Sequence, residues 1–128
     1  MTTTADPVTA FFDDLGSRGH EPSLEKVSGT IRFDLVSGKK TERWFVAIRK
    51  GDLTVSRRNA AADSIMRLSR TLFERVAGGE TNIVPAVLRG EVVVEGDLSL
   101  TVVARRLFRA RLAAPRRRTT AGYARRQQ

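Results

Sequence analysis

The stretch AVLRGEVVVEGDLSL, residues 86–100, holds the end of one element, a whole second element and the start of a third. Gly90 ends a short helical turn, and EVVVE (91–95) reads as a strand. Gly96-Asp97 then turns the chain, and Asp97 caps a last helix. Val92 and Val94 share one strand face; Glu91, Val93 and Glu95 share the other, which is assigned to solvent. Leu98 and Leu100 open the apolar face of the last helix, and Val103, Ala104 and Leu107 continue it. Val102 and Phe108 widen that face. The expected result is a short strand that crosses a sheet, followed by a helix laid over it like a lid. Gly90 and Gly96 would let that helix move as a gate.

Upstream, SIMRLS (64–69) alternates Met66 and Leu68 against Arg67, a fourth strand. Ser69 then caps a helix with the apolar stripe Leu72, Phe73 and Val76, stopped by Gly78-Gly79. Asn82 caps the short turn that ends at Gly90. Earlier still the period is two. Ile31, Phe33 and Leu35 alternate with Arg32 and Asp34, and Trp44, Val46 and Ile48 alternate with Phe45, Ala47 and Arg49. Leu53 and Val55 follow the tight turn KGD. With SGKKTE as the first turn, these three runs form an antiparallel meander. At the N-terminus, Asp6 and Pro7 start a helix whose face is Val8, Phe11, Phe12 and Leu15, ended by Gly16 and Gly19.

Composition narrows the function. The 128 residues fit one domain large enough for a real core, and there is no cysteine. The net charge of +9 is uneven: residues 115–128 hold five arginines and no acid, so the rest carries only +4. The division is a domain at 1–114 and a basic, disordered tail at 115–128. MTTTADPVTAFFDDLG is no secretory signal, and no apolar run approaches the roughly 20 residues that span a bilayer, so a soluble, cytoplasmic protein is expected.

Catalytic constellations are hard to assemble. His20 is the single histidine, read as a solvated loop residue without a partner by spacing. Asp13 and Asp14 are helical neighbours that point apart. Glu91 and Glu95 lie about 13 Å apart along a strand, beyond the roughly 5–9.5 Å of glycosidase carboxylates. SGKKT is not a phosphate loop: Phe33 stands where its first glycine belongs, Lys40 follows Gly38-Lys39, and the segment joins two strands. What remains is the apolar content of 72–108. That pattern alone does not separate a filled core from a ligand cavity, and by itself it favours the filled core.

The stretch from Gly29 to Phe108 resembles the sterol carrier protein type 2 domain family. GTIRFDLVSGKKTERWFVAIRKGDLTVS carries an alternating strand with Phe33-Asp34, a turn, a Trp-bearing strand and a Lys-Gly hairpin in the family's order. ADSIMRLSRTLFERVAGGETN resembles its strand, its helix with an inward Phe, and its Gly-x-x-Asn connector, here Gly79 to Asn82. AVLRGEVVVEGDLSL is similar to its ending. Ile83 stands where the family commonly has Pro, with Pro85 two residues later; the N-terminal helix is shorter than usual, and the basic tail lies outside the pattern.

The resemblance implies an α+β fold, a five-stranded, largely antiparallel sheet with short helices on one face enclosing an apolar tunnel. It implies non-catalytic binding or transfer of a sterol, fatty acid, acyl-CoA or phospholipid, with no cofactor and no metal. From the amphipathic faces, Phe73, Val76, Ile83, Val87 and Leu88 would line one side of the cavity. Leu98, Val102 and Val103 would close it, and Phe33, Trp44 and Val46 would form its floor. Which strand face points inward is open. Two rival readings stand: an interaction module with a filled core acting through a protein partner, and a tail that binds anionic membrane, with nucleic acid the lesser partner.

Overall fold

The computed structural model describes residues 6–113. The alternating run after Gly29 forms β1 (Ser28–Ser37), which pairs antiparallel with β2 (Lys40–Arg49) through a turn of only Gly38 and Lys39. The second hairpin turns on Lys50 and Gly51, both at positive φ (50° and 87°), the geometry that matches strand twist, and leads into β3 (Asp52–Ser56). The expected meander is therefore present, with a tighter first turn.

β4 (Ser64–Ser69) pairs with β1 in parallel, not as a further antiparallel neighbour. The sheet order is β3-β2-β1-β4-β5. Residues 57–63 make the crossover on the face opposite Phe33. Arg32, pointing to that face, donates Nη1–H to the Ala60 carbonyl at 3.1 Å. Arg32 also grips buried Asp34 bidentately at 2.8 and 2.9 Å, and this hydrogen-bonded pairing raises the arginine's pKa. At the crossover's end, Asp63 takes the Thr30 backbone N–H at 2.9 Å.

Among the described residues the four α-helices lie on the Phe33 side. α1 (Pro7–Arg18) is capped by Asp6, whose carboxylate accepts from Thr9 N–H, and ends at Gly19 (φ 69°). Gly16 lies inside it and so does not end it, since Arg18 still has helical room before the left-handed residue. α2 (Arg70–Ala77) starts on the Ser69 cap as expected, and α3 (Ile83–Leu88) on Asn82. Gly90, at φ 80°, closes α3: its N–H reaches Val87 O and the Glu91 N–H reaches Ala86 O, the two bonds of a Schellman motif.

That motif shortens the last strand. With the Glu91 N–H spent on α3, β5 spans Val93–Gly96 rather than 91–95. Its faces are as expected: Val92 is buried and Val94 half-buried, while Glu91, Val93 and Glu95 are exposed. α4 (Leu100–Ala113) begins later than Asp97. The Asp97 carboxylate binds Ser99 N–H at 2.9 Å and Ser99 Oγ–H at 2.6 Å, forming a turn before the helix; these bonds lower its pKa.

A cationic knot ties the layers at one end. Arg70 contacts Asp6 at 2.5 Å, Glu74 at 2.6 Å and Glu42 at 3.2 Å, joining the α1 cap, α2 and β2. Hydrogen bonding to Arg70 lowers the Asp6 pKa, and hydrogen bonding to Asp6 raises that of Arg70.

Candidate functional site

The space between sheet and helices is built by aromatic rings from five elements. Phe11 and Phe12 come from α1, Phe73 from α2, Phe108 from α4, Phe33 from β1 and Trp44 from β2. Phe12 stacks on Trp44 with centroids 4.5 Å apart, and Phe11 stacks on Phe108 at 4.8 Å. Phe73 sits at their centre, 5.3–5.7 Å from Phe11, Phe12, Phe33 and Phe108. Edge-to-face and offset contacts of this kind add about 0.5–1.5 kcal/mol each beyond area burial. The Trp44 indole N–H is satisfied by Glu42 at 2.7 Å, and Arg57 lies 4.4 Å above its ring.

Of the eleven expected lining residues, Phe33, Trp44, Val46, Phe73, Val76, Ile83 and Val103 are buried in this core. Val87 is half-buried against it. The inward strand face, open from sequence alone, is the Phe33–Trp44–Val46 face. Leu88, Leu98 and Val102 are placed elsewhere, on the outer surface. For Leu98 the reason is the late start of α4, which leaves it in the preceding turn. For Val102 the reason is that Leu100, Val103, Ala104 and Leu107 already take the inward side.

A concavity of about 340 Å³ opens between the α2–α3 connector and α4. Its floor is the edge of the core, Val76, Ile83 and Phe108; its rim carries Arg105, Arg109, Leu112 and exposed Glu80. The volume falls at the lower end of the roughly 300–1,000 Å³ typical of ligand sites. The Arg105 Nε is buried with no hydrogen-bond partner among the described residues. A second concavity, about 640 Å³, lies at the β1–β2 hairpin end among Leu35, Ser37, Lys40, Thr41, Glu42, Arg57 and Arg70, where Glu42 and Arg70 are paired with each other in the Arg70 knot. Sequence reading placed Phe11, Phe12 and Phe108 on apolar helix faces, where they are buried, but left them out of the lining, and it missed Arg105, Arg109 and Leu112 as rim. The signal for the rim was available: Arg105, Phe108, Arg109 and Leu112 recur at helical spacing.

Residues 8–109 match the sequence model of the SCP-2 sterol transfer family. The chain belongs to that family. Solved SCP-2 structures share the fold. Sterol carrier protein 2 from Yarrowia lipolytica, in its apo form, is 23% identical with a TM-score of 0.66, over 85% of this chain and 96% of that one. Sterol carrier protein 2 from Aedes aegypti in complex with palmitate is 17% identical with a TM-score of 0.61, over 84% and 96%. The fold also forms part of a larger enzyme: the inverting sec-alkylsulfatase Pisa1 from Pseudomonas sp. matches at 20% identity and TM-score 0.59, over 77% of this chain but 15% of its own. Comparison with curated proteins gives no match.

His20 departs from its sequence reading. It is exposed, as expected, but it is paired: Nδ1 lies 2.7 Å from Asp52 and Nε2 3.3 Å from Glu25. The Asp52 hydrogen bond, then that of Glu25, raises its pKa above 6.5. A raised folded-state value means that protonated His20 favours the fold. That contribution is complete below the unfolded pKa near 6.5 and fades as pH rises through the folded value. Because His20 is the only histidine, its ring signals in an NMR titration read this directly. A midpoint above 6.5 is expected, falling toward 6.5 in Asp52→Asn; an unshifted parent midpoint would contradict the pairing.

Proposed function

We propose that this domain binds and carries a hydrophobic ligand without transforming it. The ligand would enter between the α2–α3 connector and α4, with its tail on Val76, Ile83 and Phe108 and its polar head at Arg105 and Arg109. The carrying observation is the concavity with a core floor and a cationic rim, in a chain of the SCP-2 family. The palmitate complex of the Aedes aegypti relative supports a fatty-acid-sized occupant. Each CH₂ taken from water contributes about 0.8 kcal/mol. A long chain gains more by passing inward between the layers as the rings part, and that passage is the tunnel of this reading.

The test uses delipidated full-length protein and a fluorescent fatty acid displaced by palmitate. Arg105→Ala with Arg109→Ala is expected to weaken palmitate about tenfold or more, since a hydrogen bond to a charged group contributes about 1.5–3 kcal/mol. The uncharged alcohol of equal chain length should bind both proteins alike. Native mass spectrometry without a lipid adduct, together with no displacement, would overturn the proposal. One observation favours a second reading, an interaction module with a filled core: the six rings that close the inter-layer space. That reading expects no ligand and a protein partner instead.

A further inference from the structure

We propose that the outer stripe of α4 is a docking surface for an anionic lipid bilayer. The helix buries one side and leaves a second, chemically distinct side in water. Leu98, just before the helix, then Val102, Arg105, Arg106, Arg109 and Leu112 follow at three- or four-residue spacing along that side. Its apolar members are open to water: Leu98 is 63% exposed, Val102 42% and Leu112 50%. Leu88, at the end of α3, is exposed as well.

The charge on the stripe has one sign. α4 contains no acidic residue, and none of Arg105, Arg106 and Arg109 forms an ion pair with a described residue. Arg111 lies off the stripe and is spent on Asp14, 3.6 Å away. Asp97, just before the helix, is folded back onto Ser99, and Glu80 stands at the rim of the concavity. The sequence continues past the helix with five arginines and no acid over 115–128.

Large apolar side chains alternating with arginines suit an interface where the apolar groups enter the acyl boundary and the guanidinium groups stay at the phosphates. A second copy of the chain would bring like-charged arginines face to face. Nucleic acid would use the arginines and leave Leu98, Val102 and Leu112 in water. Arg105, Arg109 and Leu112 also rim the concavity, so a docked stripe turns its mouth toward the membrane. Docking itself does not depend on the ligand reading, and vesicle binding can succeed or fail with palmitate binding intact.

The test is sedimentation of the full chain with phosphatidylcholine vesicles, with and without about 30% phosphatidylserine. Binding is expected only to the anionic vesicles. Each basic residue near such a surface changes the partition about fivefold, so Arg106→Glu should reduce it at least tenfold. Leu98→Ser with Val102→Ser keeps every charge and should still reduce it about tenfold. Equal binding by the parent and the double serine variant would overturn the proposal, leaving the arginines as a non-specific polycation. Equal binding to both vesicle types, or none, would overturn it too. So would tighter binding to duplex DNA than to anionic vesicles. Circular dichroism of both variants checks that the fold is kept.

Discussion

Phe73→Ala is expected to lower the unfolding free energy by about 3–5 kcal/mol. Phe73 is fully buried, and its ring meets four others, one or more from α1, α4 and β1. No single neighbour can close the gap without leaving its own partners, so the cavity would persist and the cost would lie high in that range. Against a total of about 5–15 kcal/mol for a domain, this is a large loss. Urea unfolding should show a lower midpoint with an unchanged slope. The same variant also probes the ligand reading. A void lined by Phe11, Phe12, Phe33 and Phe108 is apolar and would stay dry. If hydrocarbon passes between the layers, saturating palmitate should stabilise Phe73→Ala more than the parent, because the parent must part its rings to admit it. A cost below about 1 kcal/mol would mean that the rings are not jammed together and that the inter-layer space is already loose.

The strands were legible because side-chain alternation puts Ile31, Phe33 and Leu35, then Trp44, Val46 and Ile48, then Met66 and Leu68 on one face, and a slipped register would turn Phe33 or Trp44 to the other. The helix starts were legible for a local reason: Asp6, Ser69 and Asn82 each satisfy a backbone N–H within three residues. The parallel pairing of β4 with β1 was not legible. SIMRLS alternates identically in either direction, and its orientation follows from where 57–63 crosses, which rests on the non-local bonds of Arg32 to Ala60 and Asp63 to Thr30. α4 defeated face assignment because LTVVARRLF is apolar around much of the wheel. Leu98 and Val102 fit a helical stripe as well as Leu100, Val103 and Leu107 do. Only the packing on α1, α2 and α3 decides which stripe turns inward. Arg105 and Arg109 gave no site signal, because a cationic rim and a solvated face look alike until Phe108 is placed between them.

Gly96→Ala is expected to be the most damaging single methyl added to the chain, with a loss of about 4 kcal/mol or more. Gly96 and Gly90 flank the same short strand, and both sit at positive φ, 94° and 80°. An L side chain there costs roughly 1–2 kcal/mol at either position. Their surroundings differ. A Cβ on Gly90 meets nothing within 4 Å, whereas one on Gly96 is driven into the Asp63 carbonyl oxygen. That oxygen accepts the Asp97 N–H at 2.8 Å, and Gly96 is the register partner of Ser64. The backbone on neither side can retreat without breaking the β4–β5 ladder, which is only four residue pairs long. Losing it would uncover Met66 and Val92 and release the start of α4. Gly96 is therefore a site of close backbone approach, held by the carbonyl it touches, and any movement of α4 must begin beyond it. Gly90→Ala serves as the matched control, with an expected loss of about 1–2 kcal/mol from backbone conformation alone. Denaturant unfolding of the two variants separates the effects: equal losses would mean that positive φ, and not the approach to Asp63, is what the glycine at 96 supplies.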